Sequence, residues 1–97
     1  MKFKNWYERT SSNEIGGLDE EKFLKIADRF INLANSLNKK TIASDLHYAF
    51  LFSSARYSAH VGKNVMEVEN QEHYIDHLVN QYRDMLRENF ADPVVWN

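Results

Sequence analysis

Apolar side chains recur every three or four residues over most of this chain, the spacing of helices that bury one side. Three such stretches are separated by polar or breaker residues. The middle one, Thr41 to Gly62, reads TIASDLHYAFLFSSARYSAHVG. Wound at about 100° per residue, it is apolar on two sides. Ile42, Leu46, Ala49, Phe50, Ser53, Tyr57 and Val61 fall on one side, and Tyr48, Leu51, Phe52, Ala55 and Ala59 on the other. Asp45 and Arg56 make one polar seam between them; His47, Ser54 and Ser58 make the second. A helix apolar on both sides has to be covered on both sides. The expectation is a central helix that packs its first face on its neighbours and offers its second to some other cover.

The first helix is predicted from Asp19, an N-cap followed by Glu20 and Glu21, which suit the positive end of the helix dipole. Leu18 and Phe23 have the spacing of a hydrophobic staple. The core stripe runs Phe23, Ile26, Ala27, Phe30, Leu33, Ala34, Leu37, with Leu24 and Ile31 on its flank and Glu21–Lys25 as a surface pair. Asn38, tolerant of a left-handed cap, and Lys39–Lys40 end it. The central helix starts at Thr41 or Ser44 and ends at Gly62, read as a C′ glycine. The third starts between Val65 and Glu67 and runs to Phe90, where Asp92-Pro93 stops it. Its inner stripe is read as Val68, Gln71, Ile75, Leu78, Val79, Tyr82, Leu86 and Phe90, with Tyr74 and Met85 beside it. Short connections favour antiparallel neighbours. The predicted fold is a small antiparallel three-helix all-α domain, helices about 19–38, 41–62 and 66–91. An irregular arm, 1–17, precedes it and a tail, 93–97, follows. Phe3, Trp6, Tyr7 and Ile15 give the arm apolar surface to dock with, while its breakers equally suit a mobile segment.

With 97 residues, a single domain with one core is the expectation. The absence of cysteine excludes a disulfide framework and fits a reducing compartment. No secretory signal pattern opens the chain, and YAFLF, its longest strongly apolar run, is far too short to span a membrane. The cytoplasm is the expected location. Net charge is −2, with excess base before residue 41 and excess acid after it. No broad basic surface for nucleic acid results.

Three stretches carry a resemblance: DRFINLANSL (Asp28 to Leu37), AFLFSSARYSAHV (Ala49 to Val61) and NQYRDMLRENF (Asn80 to Phe90). In this order and spacing they resemble a family of small bacterial proteins known only as a domain of unknown function, number three-one-four-four. The resemblance implies an all-α domain of the bacterial cytoplasm. It implies no reaction and no ligand, and it does not reach the arm before Leu18.

The residues with chemical potential have plainer readings. His73 and His77 are four apart, a spacing open to a metal, but both are read on the solvent face without a second shell. His60 is read as a structural histidine near a helix C-terminus, and His47 as a seam residue. Asp45 and Arg56 stand three turns apart and cannot pair, so Arg56 is expected to find another carboxylate or an anion. Ser53-Ser54 lacks a nucleophile-elbow context, and Gly16-Gly17 lacks a phosphate-loop pattern. No catalytic residue, metal or cofactor is expected. The leading reading is a non-catalytic module that forms a homo-oligomer, a dimer, or binds a protein partner, with no nucleic acid and no membrane. Its interface would be Tyr48, Leu51, Phe52, Ala55 and Ala59. The alternative is a small enzyme or ligand-binding protein with a pocket around Arg56, Tyr57, His60 and Tyr82.

Overall fold

A computed structural model describes residues 19–94. The readings made for the arm and the Leu18 staple lie outside the described residues, as does the end of the tail. Three helices, α1 (Glu20–Leu37), α2 (Ala43–Asn64) and α3 (Gln71–Ala91), make up a small all-α domain with no strand among the described residues.

Local chemistry sets the helix ends. Asp19 caps α1, its Oδ1 accepting from the Lys22 backbone N–H at 2.8 Å. Glu21 and Lys25 pair at 3.1 Å on the exposed side. Asn38 closes α1 in right-handed rather than left-handed geometry, its N–H reaching the Ala34 and Ser36 carbonyls. α2 departs from expectation at both ends. Neither Thr41 nor Ser44 caps it; Ile42 holds the N-cap position with no side-chain hydrogen bond. The helix also runs through Gly62 to Asn64, where the Val65 and Met66 N–H groups both reach the Val61 carbonyl. α3 starts several residues later than its glutamates suggest. Asn70 is the cap, its Oδ1 accepting from the His73 N–H at 3.1 Å, and residues 65–70 form an irregular link. At the far end Asp92, extended ahead of Pro93, stops α3 as predicted.

α1 packs against α2, and the start of α3 packs against the end of α2. The second contact is a close one. Tyr74, 8% exposed, lays its ring over Gly62 and donates its hydroxyl to the Ser58 carbonyl at 2.6 Å. A Cβ on Gly62 would lie 2.6 Å from Tyr74 Cε2. Gly62 is therefore a packing glycine within the helix rather than a C′ glycine. Ser58, assigned above to a polar seam, is half-buried beneath this contact.

The helix faces differ from the sequence reading. On α3 the buried residues are Tyr74 and Gln81, with His77, Leu78 and Met85 half-buried beside them. Ile75, Val79, Tyr82, Leu86 and Phe90, read as the inner stripe, are exposed. The inward face is turned by roughly a third of a turn from the predicted one. On α1 the stripe divides: Phe23, Ala27, Ile31 and Ala34 are half-buried, whereas Ile26, Phe30, Leu33 and Leu37 are exposed. On α2, Leu46 and Val61 are half-buried, but Ile42, Phe50 and Tyr57 of the same predicted face are exposed.

Candidate interaction surface

Each helix shows solvent an apolar line next to the one it turns inward. The second face of α2 is such a line. Tyr48 (68% exposed), Leu51 (40%) and Phe52 (66%) stand on it, and Ala55 and Ala59 are also exposed. The His47 ring lies tilted against Tyr48 with centroids 5.0 Å apart, so this aromatic is oriented by its neighbour while open to solvent. The two alanines leave the helix backbone approachable, a feature of closely packed helix contacts.

The residues read as a possible pocket are only partly brought together. Arg56, Tyr57 and His60 line an open depression with Ala59 and Lys63. Tyr82 is not part of it; it belongs to the exposed line of α3. All five lining residues come from two successive turns of one helix, so among the described residues no second element supplies an opposing wall. A ligand site of ordinary kind buries most of its ligand between converging groups. Within the depression His60 is held by the helix itself, Asn64 Nδ2 lying 3.1 Å from His60 Nδ1, and the Tyr57 ring stands 5.9 Å from the imidazole. Arg56 is exposed and has no ion-pair partner among the described residues, so the carboxylate expected for it is not found there.

The histidine pair of α3 is split by its surroundings. His73 is exposed, whereas His77 is half-buried on the inward side, which corrects the solvent-face reading for His77. Among the described residues no group of three or more His, Asp or Glu side chains is placed to hold a metal. The strongest electrostatic perturbation belongs to Tyr74, whose phenol pKa is pushed above its usual value by burial. That group is committed to packing through its bond to Ser58. Its role was missed at the sequence level. The one available signal was Gly62, small where a ring from another helix could rest.

The fold and its surface define a small all-α domain with apolar lines exposed on each helix. The family model described as a protein of unknown function, DUF3144, matches residues 23–94, and the chain belongs to that family. No curated protein and no solved structure matches it. No helix among the described residues is long and apolar enough to cross a membrane.

Proposed function

We propose that this protein is a non-catalytic helical module that works by associating with other protein chains, itself included, through exposed apolar helix faces. The proposed setting is the bacterial cytoplasm, in keeping with a chain free of cysteine. One observation carries the reading: Tyr48, Leu51 and Phe52 stand together on α2 at 40–68% exposure beside two alanines. Contiguous apolar surface rimmed by polar residues is the mark of an interaction face. Aromatic side chains supply much of the binding energy of such faces when a partner desolvates them.

Phe52→Glu tests this. A glutamate here is well solvated in the free chain, so helical content by circular dichroism is expected to stay at the parent level. In the associated state the same carboxylate is buried without a partner, which weakens association by orders of magnitude. The expected result is a fall in weight-average mass at high concentration, measured by light scattering. An unchanged concentration dependence would remove α2 from the interface.

A further inference from the structure

We infer that a second copy of this chain docks antiparallel along the exposed line of α3, pairing that line with itself across a two-fold axis. The inference rests on the self-association half of the proposal above but concerns a different helix. Ile75, Val79, Tyr82 and Leu86 follow spacings of four, three and four residues. That is the narrow seam by which one helix packs into the side of another, positions d, a, d, a of a heptad. A seam of this kind specifies another helix as its occupant.

Charge selects which helix and which direction. Asp76 and Arg83 follow the two d positions, on the side of the seam away from the protein's own core, and both are exposed. In an antiparallel self-pair the layers are Ile75 with Leu86 of the second copy and Val79 with Tyr82 of the second copy. That register sets Asp76 of each copy beside Arg83 of the other, giving two opposite-charge pairs. A parallel pair instead sets Arg83 beside Leu78, which is half-buried in its own chain. Arg83 is available: its Nη1 donates to Asn80 Oδ1 at 2.9 Å on the same helix, and it has no ion pair among the described residues. The corresponding line of α1 has Arg29 and Ser36 on its outer flank and offers no such complement to itself.

The area also suits a second copy. With Phe90, the side chains of the line are 39–87% exposed, roughly 500 Å² per copy at about 200 Å² for a full aromatic side chain. Two copies then bury at most about 1,000 Å² from the line alone, the size at which specific interfaces begin. Residues 1–18 and 95–97 hold about half as many large apolar side chains as stand exposed on the described helices.

A charge exchange in the full chain tests the pairing by sedimentation. Asp76→Arg alone and Arg83→Asp alone each place like charges opposite one another, and each variant is expected to dissociate at least tenfold more readily than the parent. An equimolar mixture of the two restores both opposite-charge pairs, so a heterodimer of parental strength is expected, as is recovery in the double variant. The difference is expected to shrink in high salt, because these pairs are at the surface. Circular dichroism at the parental level shows that the variants are folded. A parent that associates while the single variants associate equally well, or a mixture that fails to recover, overturns the α3 pairing and leaves the α2 reading standing. A parent that stays monomeric at every concentration overturns both.

Discussion

At the scale of single residues, the contact between Gly62 and Tyr74 decides how α3 sits on α2. Alanine is ordinarily the better helix residue by about 1 kcal/mol. At Gly62 its methyl would press into a ring fixed by the hydrogen bond to Ser58. Overpacking of that kind costs about 1–3 kcal/mol. Gly62→Ala is therefore expected to lower stability by about 1 kcal/mol in urea unfolding. In a Tyr74→Leu background, with the ring gone, the same substitution is expected to stabilise. A stabilising Gly62→Ala in the parent would show that the ring does not rest there. Tyr74 also fixes a pH dependence. Burial raises its folded pKa above that of the unfolded chain, near 10, so folding favours the neutral phenol. This contribution is fully present below about pH 10 and is lost as pH rises through the folded pKa. The urea midpoint is expected to fall as pH rises above about 10, and less steeply in Tyr74→Phe. Equal slopes in parent and variant would mean that the phenol is not buried in solution.

At the scale of elements, the three helices and their order were legible in the sequence because caps and apolar spacing agree locally. Asp19 and Asp92-Pro93 read correctly, since a cap and a proline act within one turn. The start of α3 did not, because Glu67 and Glu69 suit a first turn as well as Glu72 does, while Asn70 supplies the actual cap. The larger error was rotational. Ile75, Val79 and Leu86 outrank Tyr74, His77 and Gln81 in hydrophobicity, so pattern alone turns them inward. In the structure Tyr74, His77 and Gln81 take inward places beside Leu78 and Met85, and the line of Ile75, Val79, Tyr82 and Leu86 is left outside. A helix with two usable faces does not say which its own chain will cover. On α2 the second face was legible because both sides are apolar. The pocket reading failed at Tyr82 because it joined residues of two helices whose relative rotation the sequence does not determine. In physical terms the same ambiguity underlies both outcomes: burial within the chain and burial between chains use the same side chains.

At the scale of the whole molecule, the exposed lines on α1, α2 and α3 are the property that most needs an explanation. A domain of this size stabilises itself mainly by removing apolar surface from water. Here Tyr74, still 8% exposed, is the one buried hydrophobic side chain among the described residues, while large aliphatic and aromatic groups on every helix remain open. Under the proposed association these lines are covered by another chain, so stability and association are expected to be linked and to rise together with concentration. The most direct measurement is sedimentation equilibrium of the full chain from low to high micromolar concentration at moderate salt. The expected result is a mass that climbs with concentration from the 11.5 kDa of one chain to at least twice that value. A mass that stays at 11.5 kDa across the whole range would contradict the account.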